Sequence, residues 1–196
     1  MKKQVKRYIM QRILTEYVVP ALILILVISI FYNIFFSVKF YSYREKCQDS
    51  LVMAISREAS ATKDYLQSIL KDKNYSQYNM WRVYSHFNNL SSLCRTDGSI
   101  YGNAQSLFLE IGATFIDGGA TSLCHTQGLF ADGTITRQEA EYMERIADML
   151  GEICSGISLN ETSLHNIDVL NSNLRSAEAL LNDADSSPYL LIQMPA

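Results

Sequence analysis

The string Asp132-Gly133-Thr134-Ile135-Thr136-Arg137-Gln138-Glu139 carries the second half of a calcium-binding loop, with glycine, isoleucine and glutamate in their expected places. The first half does not follow. Gly128 and Phe130 occupy the places where carboxylates belong, so Asp132 and Glu139 are the only acidic groups in reach. A calcium ion takes about six to eight oxygens, and this string cannot supply them. The same residues make a turn followed by a capping box, in which the Thr136 hydroxyl and the Glu139 carboxylate satisfy helix-start N–H groups. That is their expected role.

Cysteines stand at 47, 94, 124 and 154, and no two form a C-x-x-C pair, which removes zinc ribbons and thioredoxin-like motifs. Two readings of these thiols stay open. In an up-and-down helical bundle outside the cytoplasm, Cys94 could bridge to Cys47 or to Cys154, since all three fall toward the same end, whereas Cys124 falls toward the other. Alternatively they are small buried hydrophobes, and this reading is favoured because three of the four sit in apolar registers. His86, His125 and His165 are scattered. Cys124 and His125 are adjacent, about 100° apart on a helix, and make poor co-ligands. No metal or cofactor is expected. Serine, histidine and aspartate are present but not in a G-x-S-x-G setting, so no catalytic activity is expected.

Tyr75, Tyr78, Trp81 and Tyr84 give one helix an aromatic character. Most of such a helix belongs in the core. Any part left exposed would suit a protein partner, because tyrosine and tryptophan dominate interface hot spots.

These residues must be held by elements, and the strongest element is Tyr17 to Val38, 22 residues without a charge, of which Asn33 is the one strongly polar member. As a helix it covers roughly 30 Å, the thickness of a bilayer's hydrocarbon core. Pro20 falls in its first turn, where a missing N–H costs least. A cleaved signal peptide would have an apolar region of about 7–15 residues ending in a small-x-small site. This run is longer and continues into FFSVKFYSY, so an uncleaved transmembrane helix is expected. The preceding residues, 1–16, hold Lys2, Lys3, Lys6, Arg7 and Arg12 against Glu16. The positive-inside tendency puts this basic arm in the cytoplasm and the C-terminal part outside. Beyond the span stand 12 basic and 19 acidic residues, a formal −7. An acidic domain argues against nucleic acid as a partner.

Residues 39–182 read as helices. Cys47, Leu51, Ile55, Ala59, Leu66 and Ile69 recur at helical spacing, with no turn signal before Lys71-Asp72-Lys73-Asn74. The membrane helix and this stretch should therefore be one. A second helix is predicted over about 75–93, with Met80, Tyr84, Phe87 and Cys94 on one stripe and Trp81, Val83 and Leu90 beside it. A third begins near Ala104 with Leu107, Phe108, Ile111 and Phe115, and should end or kink at Gly118-Gly119. The fourth follows Thr136 and carries Met143, Ile146, Ala147, Leu150, Ile153, Cys154 and Ile157. A second cap at Ser158-Leu159-Asn160-Glu161 should open the fifth, with Leu164, Ile167, Leu170, Leu174, Ala177 and Leu181. No stretch alternates with the period of a strand. The expected fold is all-α: a transmembrane helix continuing into an antiparallel extracytoplasmic bundle of about five helices, then an irregular tail over 183–196.

Trp81-Arg82 leading to Leu90-x-x-Leu93, then Phe108-Leu109-x-x-Gly112, then Gly133-Thr134-Ile135-Thr136 before Gln138-Glu139, resemble the helical region of YpeB-type spore germination proteins. Leu93-Cys94 stands where that family tends to have Leu-Pro. The likeness runs from Trp81 to about Ile157, less than half of the chain. It implies a membrane-tethered scaffold that holds or protects a cell-wall-lytic partner during sporulation and germination, and it carries over no catalytic residue.

The expectation is thus a non-enzymatic, single-pass membrane protein. Its partners would be the lipid bilayer and another envelope protein. The alternative is a ligand-sensing bundle that signals through a partner subunit.

Overall fold

The computed structural model describes residues 7, 10, 12–116, 134–158 and 161–182. All regular structure among them is helical, and the chain divides into two compact units, Met1–Lys46 and Cys47–Ala196. Five α-helices are described: α1 (Val19–Asp72), α2 (Gln77–Cys94), α3 (Ala104–Thr114), α4 (Arg137–Ile153) and α5 (Ser163–Asn182).

In the first unit a five-residue π-helical turn, Leu14–Val18, leads into α1 without a break in helical backbone. Helical backbone thus begins before Tyr17, where the apolar run starts. Pro20 lies just inside α1. A proline ring crowds the carbonyl four residues back, here that of Glu16, and a π turn widens the backbone at that place. The apolar side chains from Leu22 to Val38 are exposed. α1 is the one described helix long and apolar enough to cross a membrane.

α1 runs unbroken to Asp72, where Lys73 takes a left-handed conformation (φ 49°) and the N–H of Asn74 closes on the carbonyl of Ile69. The break expected at residues 71–74 is there.

In the second unit, residue pairings give the helix directions. Glu58 and Tyr65 of α1 meet His86 and Asn79 of α2, so the two helices run oppositely. Ser56 and Lys63 of α1 lie against Cys154 and Gly151, so α4 also opposes α1. α5 reverses again: Asn166 and Asn173 pair back to Ser158 and to Ile153. Asn171 and Glu178 of α5 meet Ser99 and Asn103, so the strand of chain entering α3 runs with α5. The helices alternate in direction, and the connections α1–α2, α2–α3 and α4–α5 are short, as antiparallel neighbours need.

The core is continuous. Val52, Ile55, Ala59, Leu66 and Ile69 from α1 pack with Met80, Val83, Phe87 and Leu90, with Leu107, Phe108, Ile111 and Phe115, and with the inner faces of α4 and α5. An aromatic chain threads it, Phe108 and Phe115 about Phe87, and Phe115 against Tyr142. The Tyr142 hydroxyl lies 2.8 Å from that of Thr114, which itself donates to the Ile111 carbonyl at 2.7 Å. A buried phenol is thereby satisfied. Gly112 lets α3 approach α2 closely, because a Cβ there would stand 2.9 Å from Cβ of Phe87.

Some boundaries differ from expectation. α4 stops at Ile153 rather than running to Ile157, because Gly156 adopts φ 77°, a left-handed turn that suits glycine. Ser158 does not cap α5. Its N–H and carbonyl are both held by the Asn166 side chain, at 3.1 and 2.8 Å, and the cap is Thr162, whose hydroxyl accepts from the His165 N–H at 3.3 Å. Leu164, placed on the buried stripe, is 71% exposed, whereas Ile167, Leu170, Leu174, Ala177 and Leu181 are buried. Gly118-Gly119, Gly128 to Gly133 and the tail over 183–196 lie outside the described residues.

Candidate functional site

α2 owes its placement to a small hydrogen-bonded hinge. The Ser76 hydroxyl accepts from the N–H of Asn79 at 3.2 Å. The Asn79 amide, itself buried, donates to the Asn74 carbonyl at 2.6 Å and accepts from the Tyr65 hydroxyl at 2.8 Å. With Asn79 so pinned, Met80, Val83, Phe87, Leu90 and Cys94 point inward at helical spacing.

The same rotation turns Tyr78 and Trp81 outward. Tyr78 is 69% exposed and Trp81 50%. This corrects the reading of the aromatic helix as mostly core and of Trp81 as lying beside its buried stripe. Tyr75 and Tyr84 are half-buried, with Tyr75 packed on the core. Trp81 and Tyr84 meet edge to face with centroids 5.7 Å apart, an arrangement worth about 0.5–1.5 kcal/mol beyond area burial. Arg82 lies over two rings, 4.7 Å from the centroid of Tyr65 and 5.9 Å from that of Tyr78. Tyr65 in turn touches the His86 ring at 5.8 Å. An exposed tryptophan and tyrosine, one packed on an aromatic neighbour and the other beside a guanidinium, form an apolar surface with hydrogen-bonding tips. Such a surface binds protein side chains at low cost in side-chain entropy.

A second feature is a cleft of about 300 Å³ lined by Asp49, Ser50, Met53, Arg57, Glu161 and Asn166. Five of these six side chains are polar or charged. Asn166, at its floor, is already engaged with Ser158. No spacing in the sequence points to this cleft, because Glu161 and Asn166 reach it from over 100 residues away.

Cys47 is exposed, Cys94 buried and Cys154 half-buried, and all three are free thiols. The pairing of Cys94 with Cys47 or Cys154 is not formed. Burial pushes the Cys94 thiol up to about 12. Cys154 is also raised, chiefly by burial, which outweighs the lowering by a hydrogen bond from the Ser56 side chain and by the nearby Lys63 charge; its thiol also lies 3.2 Å from the Ser56 carbonyl, to which it donates. Cys124 and His125 lie outside the described residues. His86 faces Glu58, and His165 is exposed at the start of α5. No three His, Cys, Asp or Glu among the described residues converge as metal ligands would. Of the calcium-like string, Thr136 and Glu139 form the capping box, with bonds of 3.2 and 2.7 Å. Asp132 and Gly133 lie outside the described residues.

The polar loop before α3 is fastened to α5. Asn171 donates to the Ser99 carbonyl at 2.8 Å and accepts from the Tyr101 N–H at 2.7 Å. The Tyr101 hydroxyl donates to Glu178, whose other oxygen takes Asn103 at 2.9 Å. Arg175 lies 5.3 Å from the centroid of the Tyr101 ring. That bond to Glu178 holds the Tyr101 hydroxyl above its usual range.

Comparison of the chain with protein-family models, curated proteins and solved structures finds no match.

Proposed function

We propose that this chain is a non-enzymatic membrane-anchored helical bundle that docks another envelope protein through the outer face of α2. The observation that carries it is the exposed pair Tyr78 and Trp81, flanked by Tyr84 and Arg82. The apolar run within α1 would cross the membrane once, with the basic arm in the cytoplasm and the bundle outside. The resemblance to the helical region of YpeB-type proteins suggests a cell-wall-lytic enzyme as the class of partner, which the bundle would hold at the membrane surface.

The test is site-directed photo-crosslinking in the full chain, in native membranes. A photoreactive residue at Trp81 should give one specific adduct, lost with Tyr78→Ala, while the same probe at Ser106 on α3 should give none. Equal labelling from both positions, or no adduct from Trp81, would sink the proposal.

The cleft beside Arg57 supports a second reading, a bundle that senses a small polar ligand and signals through a partner subunit. A thermal-shift screen on the detergent-solubilised chain separates the two. A ligand whose stabilisation disappears in Arg57→Ala would favour sensing.

A further inference from the structure

Asn33 lies within an apolar run, and its carboxamide forms no hydrogen bond with any described residue. The run from Tyr17 to Val38 is centred between Val27 and Ile28, so Asn33 stands roughly 8 Å from its middle along the helix. Half of the hydrocarbon core is about 15 Å. On the reading of this run as a membrane anchor, on which this inference rests, the carboxamide sits inside the apolar layer. Lysine and arginine reach the interface from such depth because their side chains are long; asparagine is too short. Its two donors and its acceptor then have no partner in lipid, and an unsatisfied polar group there is costly.

The rest of the face agrees. Ser29 and Ser37 stand four residues before and after Asn33, so the three form a narrow polar stripe about 80° wide. Small serines either side of an asparagine permit close approach of a second helix. Tyr32 flanks the stripe, its ring stacked on Phe36 at 6.2 Å. The opposite side, centred on Leu24, is wholly apolar, and both sides are exposed.

We propose that the membrane helix pairs with that of a second copy of this chain, in parallel, through Asn33 against Asn33. A carboxamide is both donor and acceptor, so it is complementary to itself across a two-fold axis. Depth matching selects the occupant. Any other membrane helix would need a polar group at the same level, whereas a second copy inserted the same way carries one there by construction.

The test uses the full chain, labelled with a donor or an acceptor dye at its N-terminus and reconstituted in phosphatidylcholine vesicles. Energy transfer is read as lipid is added. Wild type should dimerise well above the random-proximity background. Asn33→Leu should weaken dimerisation about three- to twentyfold, the range of single interhelical polar contacts in membranes. Asn33→Gln, which keeps the carboxamide, should retain it. Ser29→Ile and Ser37→Ile should weaken it by crowding, and Leu24→Ala should leave it unchanged. A wild type that floats with the vesicles but shows only background transfer overturns the pairing while leaving the anchor intact. So does an Asn33→Leu variant that associates like wild type. A chain that fails to float with the vesicles overturns the anchor and the pairing together.

Discussion

Nδ1 of His86 lies 2.8 Å from Oε1 of Glu58, joining α2 to α1 across their packed seam. Asn89 donates to the same oxygen at 3.3 Å. Both members of the pair are less than a quarter exposed. Removing Glu58 therefore strips two partners at once, in a place that water reaches poorly. Glu58→Ala should destabilise the bundle by about 1–2 kcal/mol. A double-mutant cycle with His86→Ala, followed by urea denaturation, should return a positive coupling energy. Additive losses would show the pair to be incidental.

Gly112 marks a close approach of α3 to α2. A methyl group there meets Cβ of Phe87 at 2.9 Å, and that atom belongs to the root of a buried ring and cannot swing aside. Alanine gains about 1 kcal/mol of helix propensity over glycine, while overpacking costs about 1–3 kcal/mol. Gly112→Ala should come out destabilising despite its better propensity, as a fall in thermal midpoint. Gly98→Ala, with nothing within 4 Å, is the control.

Asn171 fastens the loop before α3 with two hydrogen bonds. Asn171→Ala leaves the Ser99 carbonyl and the Tyr101 N–H without that partner and should cost about 1–3 kcal/mol. Hydrogen exchange at the Tyr101 amide should accelerate far more than exchange in the middle of α4. Uniform acceleration of both would mean that the whole bundle, not the loop, had loosened.

The Cys94 thiol is raised from 9.0 to about 12 by burial. In the unfolded chain this group ionises from pH 9 upward, while in the folded one it stays protonated to about 12. The unfolded state therefore binds fewer protons in that window, and stability falls as pH rises through it. The slope is at most about 1.4 kcal/mol per pH unit for this one group. Below pH 9 the contribution is fully present. Cys94→Ala should reduce the alkaline loss of thermal midpoint. In native protein at pH 8, iodoacetamide should label Cys47 first and Cys94 only on unfolding, as read by mass spectrometry.

Most of the helix plan was legible because its signals are local. The Thr136–Glu139 capping box, the break at residues 71–74 and the stripes of α3 and α4 all depend on neighbours within a turn or two. What could not be read depends on distant residues. Ser158 looks as good a cap as Thr162 until Asn166 occupies its backbone. Trp81 and Val83 are equally eligible for the core until Asn79 sets the rotation of α2 against Tyr65. Gly112 has a meaning only beside Phe87. The cleft at Arg57 needs Glu161, which no spacing rule could bring to it.

One kind of fastener recurs in this bundle. Asn79 ties the turn before α2, Asn166 the loop before α5, Asn171 the loop before α3 and Asn173 the end of α4, each through its carboxamide to backbone groups. Carboxylates or lysines in these posts would be weakened by salt and released by acid or alkali. A carboxamide carries no charge to screen and has no proton to lose in the biological range. These four joints are therefore indifferent to brine and to acidity, unlike those at Glu58 and Glu178.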